Sequence, residues 1–174
     1  MSSYIDTKTT TQINEICDKI VNDTELYTGS EYKQNMYIAG PWFDTKAKKI
    51  MNTIHRIVDL TPSGMYNVYF PMEHTKDSPR QTFKDNVENI ENADIIVALV
   101  SRKDCGTSFE VGMAYALGKR IVFVVLDYLD ATSKTNIMLS YAADKIIDLK
   151  DFQKLLCKVS VNSYDVKDSW EGKE

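Results

Sequence analysis

The sequence predicts an α/β fold: one domain built on a doubly wound parallel sheet with helices on both faces. Three observations carry this expectation. Two runs rich in β-branched residues, DIIVALV at 94–100 and IVFVVL at 121–126, read as strands buried on both faces. Segments with apolar residues at helical spacing lie between the strand candidates. The two kinds of segment alternate along most of the chain, which calls for right-handed crossovers and a parallel sheet.

Residues 1–35 are polar and poor in large aliphatics, with one weak apolar spacing at Ile13, Ile16, Ile20 and Val21. That segment reads as an N-terminal appendage, helical or partly disordered. MYIAG at 36–40 reads as a strand, broken by the Gly-Pro that follows. Ile50, Ile54, Ile57 and Val58 predict a helix over 45–60 with one buried face, ended by TPSG at 61–64. Alternating YNVYF at 66–70 gives a second strand, closed by Pro71 and followed by a polar loop through Pro79.

Phe83, Val87 and Ile90 predict a helix over 80–92, which leads into the buried strand at 94–100. A helix over 107–118 stops at Gly118, and the strand at 121–126 follows. A short helix over 136–143, a final strand at 145–149 and a terminal helix over 152–159 complete a body spanning 36–160, with 161–174 as a tail. The pattern is flavodoxin/Rossmann-like, and such sheets bind ligands at the carboxyl ends of their strands.

The 174 residues suit a single domain. Lys and Arg number 21 against 25 Asp and Glu, a net charge of −4, so a nucleic-acid polymer is not an expected partner. Cys17, Cys105 and Cys157 are far apart and form no ligand pattern, which fits free thiols in a reducing, cytoplasmic setting and argues against a zinc site. The apolar stretches are too short to span a membrane, and the polar start MSSYIDTKTTTQINE lacks the apolar core of a signal peptide. Neither GxGxxG nor GxxxxGK[ST] occurs, so dinucleotide and nucleoside-triphosphate chemistry lack their cradle. No cofactor and no metal are expected.

The strand ends carry AGPWF (39–43), FPMEH (70–74), SRKDCGTSFE (101–110) and DYLDATSKTN (127–136). Asp104 and Glu110 bracket a Gly-Thr turn into a helix, so Glu110 is expected in the first turn, kept ionised by the positive helix end and able to act as a nucleophile. The competing structural reading is a capping box from Thr107 to Glu110. Trp42 and Phe43, in a loop, suggest stacking on a planar ring. Tyr37 reads more simply as a packed strand aromatic. His55 is expected on a solvated helix face, and His74 sits in a mouth loop with no Ser or Cys partner, so no triad forms.

MYIAGPWF (36–43), KDNVENIENADIIVALV (84–100), DCGTSFEVGMAYALGKRIV (104–122) and TNIMLS (135–140) together resemble the nucleoside 2-deoxyribosyltransferase family. The resemblance covers about 36–158. It implies that Glu110 attacks the anomeric carbon of a 2'-deoxyribonucleoside, expels the base and passes the sugar to a second base. By the same resemblance Tyr37 orients the nucleophile, Gly40, Trp42 and Phe43 lie along the base and sugar pocket, and Asp104 holds the 5'-hydroxyl. Asn136 and Met138 match residues that family subunits insert into each other's sites, which implies a homo-oligomer. Deoxyribonucleosides and free nucleobases are the implied partners.

The related deoxynucleoside-monophosphate hydrolases carry a serine where Asp104 stands, and a carboxylate there repels a 5'-phosphate. One position departs from the family. Where members have an aspartate near the leaving base, counting back from Ile90 finds Asn86, with Asp85 beside it. Either Asp85 reaches the site through a local shift, or base protonation and preference differ, or activity is weakened. An N-glycoside hydrolase of deoxynucleosides or their monophosphates is the near alternative, and a nucleoside- or nucleotide-binding module with weakened turnover the distant one.

Overall fold

The computed structural model describes residues 8–22, 34–61, 66–74, 78–100, 104–126 and 136–157. Helix α1 (Thr10–Asn22) precedes strand β1 (Gln34–Ala39), helix α2 (Thr45–Leu60) and strand β2 (Tyr66–Tyr69). A 3-10 turn (Pro71–His74) leads to α3 (Pro79–Asn92), β3 (Ile95–Ala98), α4 (Cys105–Ala116) and β4 (Arg120–Val125). Then come α5 (Ile137–Ala142), β5 (Lys145–Asp148), a second 3-10 turn (Leu149–Asp151) and α6 (Phe152–Leu156). The 161–174 tail and most of 127–136 lie outside the described residues.

All five strands are parallel, in the order β2-β1-β3-β4-β5, the flavodoxin-like arrangement. Strand order reverses between β1 and β3, where connections leave in opposite directions and a crevice opens at the carboxyl ends. Alternation along the strands builds two cores. Met36, Ile38, Ile95, Val97, Val122, Val124 and Ile147 point to one face, where Ile50, Ile54 and Ile57 of α2 and Phe152 of α6 cover them. Tyr37, Ala39, Ile96, Ala98, Ile121, Phe123 and Ile146 point to the other, against Ile90 of α3 and Val111 and Ala114 of α4.

The weak apolar spacing near the N-terminus does form a helix, and its Ile13 and Cys17 are buried in the first of these cores. Lys49 of α2 reaches Asp18 of α1 at 2.5 Å. The expected strand at 94–100 is shorter than its apolar run: β3 ends at Ala98, and Leu99 and Val100 lie beyond it. The terminal helix is described only to Leu156. Gly118, at φ 66, ends α4 in the left-handed conformation that a Cβ would strain.

Candidate active site

Asp104 begins the site. Its side chain accepts the backbone N–H groups of Gly106 and Thr107, both at 3.1 Å, and the Thr107 hydroxyl. A short acceptor placed before two orphan donors is a strong helix start, so α4 begins at Cys105, two residues earlier than expected. Two expectations change as a result. Thr107 gives its hydroxyl to Asp104, so no Thr107–Glu110 capping box forms. Glu110 stands in the second turn, not the first, and its side chain is free for another partner.

That partner is Tyr37. Its hydroxyl donates to Glu110 Oε1 at 2.6 Å, reaching from β1 to α4. Tyr37 is therefore both the packed aromatic of the simple reading, 0% exposed, and a polar contact of the carboxylate. Among the described residues Glu110 Oε2 has no hydrogen-bond partner. Burial pushes the Glu110 carboxyl up to about 7; the Tyr37 hydrogen bond opposes this rise and the nearby Asp104 charge adds to it. The expectation of a carboxylate kept ionised by the helix end is thus corrected: in the second turn, desolvation outweighs the dipole. Burial and the Glu110 charge together push the Tyr37 phenol far upward, so it stays a donor.

A ladder of rings leads away from this pair. Tyr69, beside Tyr37 in register at the end of β2, stacks on it at 5.6 Å, and His74 stacks on the other side of Tyr69 at 4.4 Å. The Tyr69 hydroxyl donates to Asn86 Oδ1 of α3 at 3.2 Å. Asp85, the other candidate, accepts from Gln81 of its own helix at 2.7 Å. Asn86 is the residue joined to the ladder. Sequence reasoning missed Tyr69; its place at the end of an alternating strand, before Pro71, was the available signal.

Gly40 serves close packing: a Cβ there would overlap the Met51 thioether of α2. Trp42 packs in part against the core, its buried indole nitrogen without a partner among the described residues, while Phe43 is 89% exposed. Asn136 caps α5 by accepting from Met138 N at 2.9 Å, and Met138 is 78% exposed. Among the described residues no hydrogen bond joins either of them to Tyr37 or Glu110. His55 lies part-exposed on α2, where Asp59 at 2.9 Å and Glu73 at 2.7 Å hold its ring, which lies against Phe70 at 4.3 Å. Among the described residues no group of three or more His, Cys, Asp and Glu could hold a metal. No described helix is long and apolar enough to cross a membrane.

Residues 36–154 match the family described as nucleoside 2-deoxyribosyltransferase. The chain belongs to that family. Among solved structures, it is similar to a 2-deoxyribosyltransferase of Bacillus psychrosaccharolyticus, with 20% identity, a TM-score of 0.57 and coverage of 75% of this chain and 98% of that one. At that identity the likeness shows the shared fold. A 2-deoxyribosyltransferase from Leishmania mexicana matches 54% of this chain and 65% of its own at 26% identity and a TM-score of 0.44. A CMP N-glycosidase of Clostridium botulinum matches 72% of this chain and 97% of its own at 20% identity and a TM-score of 0.48. These two superpositions are too loose to add to the argument. No protein of curated function matches the chain closely.

Proposed function

We propose that the protein moves a 2-deoxyribosyl group between nucleobases through a glycosyl ester on Glu110. The observation that carries this reading is the part-buried Glu110 carboxylate at the sheet's switch point, with Oε1 fixed by Tyr37 and Oε2 free to attack. In the first step the bond from Oε2 to C1' forms as the bond from C1' to the base nitrogen breaks, and its electron pair leaves with the base. In the second, the nitrogen of an incoming base attacks C1', the ester bond breaks, the carboxylate is regenerated and the N–H proton of the incoming base passes to water. Two inversions retain configuration. Membership of the family supports the chemistry, and the geometry supplies a nucleophile for it.

Asp104 keeps one lone pair of Oδ1 unused after three accepted bonds, enough to receive a 5'-hydroxyl. Asn86 lies on the leaving-base side, with Asp85 held back on its helix. Phe43, Trp42 and Gly40 shape the mouth. The active unit is a homo-oligomer in which Asn136 and Met138 reach a neighbour's site. Supporting this, Phe83 of α3 and Phe109 of α4 touch at 6.4 Å, and each is more than half exposed on the same side of the sheet as Met138.

The test is base exchange, followed by chromatography, with 2'-deoxycytidine or thymidine as donor and adenine as recipient. 2'-Deoxyadenosine should appear and should vanish in Glu110→Ala. Free sugar in place of the mixed nucleoside would move the reading to an N-glycoside hydrolase.

A further inference from the structure

We infer that Tyr69 is a positioning residue that sets base specificity, by holding Asn86 so that only N–H donors face the leaving base. The inference rests on the reading of this crevice as a nucleoside site and deepens it. Tyr69 is fixed in three directions: its ring lies between Tyr37 and His74, and its hydroxyl points to Asn86 Oδ1 at 3.2 Å. A phenol of raised pKa remains protonated at neutral pH, and both burial and the nearby charges of Asp85 and Glu110 push that of Tyr69 upward. Its hydrogen is given to Asn86, so the carboxamide oxygen is turned toward Tyr69 and the amide cannot turn over without breaking that bond. Asn86 Nδ2 has no partner among the described residues, and it keeps two N–H bonds to offer.

A primary amide held this way turns its oxygen toward Tyr69 and offers its Nδ2 hydrogens to a base. The pyrimidine edge nearest the sugar carries O2 and N3. In a cytosine-type base both are lone-pair acceptors; in a uracil-type base, thymine included, N3 bears a hydrogen. Asn86 Nδ2 meets two acceptors on the first edge, O2 and N3, and on the second only O2, with the N3 hydrogen opposed to one of its own. As the bond from C1' to N1 breaks, the departing base gathers charge on O2 and N3, which an N–H donor stabilises without transferring its proton. The proton that neutralises the released base then comes from water.

The test is calorimetric titration of the full chain carrying Glu110→Ala, which stops turnover, with 2'-deoxycytidine and 2'-deoxyuridine. Tyr69→Phe and Asn86→Asp are each added to it. The two nucleosides differ at N3 and its neighbouring substituent. An unmatched buried donor costs enough for a preference of roughly tenfold, so 2'-deoxycytidine should bind about ten times tighter. Tyr69→Phe keeps the ring stack and frees the amide to rotate, so the ratio should fall below about threefold. Asn86→Asp removes the donors, so the preference should reverse toward 2'-deoxyuridine. Equal affinities for the starting chain, a ratio untouched by Tyr69→Phe, or no binding of either nucleoside would overturn the inference. Exchange measured with Glu110 intact reports separately on the chemistry. Flat binding ratios with normal exchange sink only the role of Tyr69, whereas the expected ratios without exchange or hydrolysis sink only the proposed turnover.

Discussion

The two faces of the sheet share the same five strands and are finished differently. On one face α1, α2 and α6 close over a continuous aliphatic core, and Ile50, Ile54 and Ile57 are wholly buried. On the other, α3, α4 and α5 cover a smaller core and leave Phe83, Phe109 and Met138 at 57, 58 and 78% exposed. That second face also holds Tyr37, Glu110 and Asn86. The difference teaches where this fold places stability and where it places chemistry. The complete face fixes the strands, and the incomplete one retains a desolvated carboxylate, at a cost in stability.

The sharpest way to break this comparison is Glu110→Gln. Exchange should fall by roughly a thousandfold or more, because an amide oxygen does not form the ester. Stability should respond in the opposite sense. With a folded pKa of about 7 against an ordinary 4.5, the folded state holds its proton longer, so the stabilising effect is present below 4.5 and is lost as pH rises to about 7. The variant should therefore be more stable above pH 7, by up to about 3 kcal/mol. If thermal denaturation shows it less stable there, the carboxylate is not paying the desolvation cost argued for it.

On the complete face, Ile54→Ala should cost about 2–5 kcal/mol in urea unfolding, as a cavity opens in a sealed core, while the pH dependence of exchange stays in place. A shifted pH profile would show that the faces are coupled. Between these lies Tyr37→Phe. Losing the hydroxyl removes the hydrogen bond that lowers the Glu110 pKa, so the rise of kcat/KM with pH, expected near 7 in the parent, should move to higher pH. A profile that stays put or moves down would contradict the hydrogen bond's role. The smallest effect on folding belongs to Phe109→Ser: Tm should change little, since the ring is mostly exposed, but sedimentation should show weaker self-association.

Much of this division was legible in the sequence. Runs such as IVFVVL and DIIVALV can be satisfied only by strands covered on both sides, and α2 announces its buried stripe by spacing alone. The burial of Ile13 and Cys17 was faint, because a helix that adds two residues to an existing core needs no strong apolar pattern of its own. The start of α4 was misplaced by two residues because Thr107 and Asp104 are both good caps, and local sequence does not say which hydroxyl or carboxylate meets the free N–H groups. The consequence reached the chemistry: one turn decides whether Glu110 is spent on its own helix or meets Tyr37. The partner of His55 is hidden for the same reason, since Glu73 comes from a turn distant in sequence. Pairings between strand and helix, such as Tyr37 with Glu110 and Tyr69 with Asn86, are set by sheet register, which no short motif encodes.

The central claim is a covalent bond between Glu110 and C1' during turnover. Protein mixed with 2'-deoxycytidine, quenched in acid within a turnover and digested should yield one peptide containing Glu110 heavier by a 2-deoxyribosyl group. The added mass should disappear when adenine is supplied before the quench. Active protein that never carries the adduct, or carries it on another residue, would contradict the account.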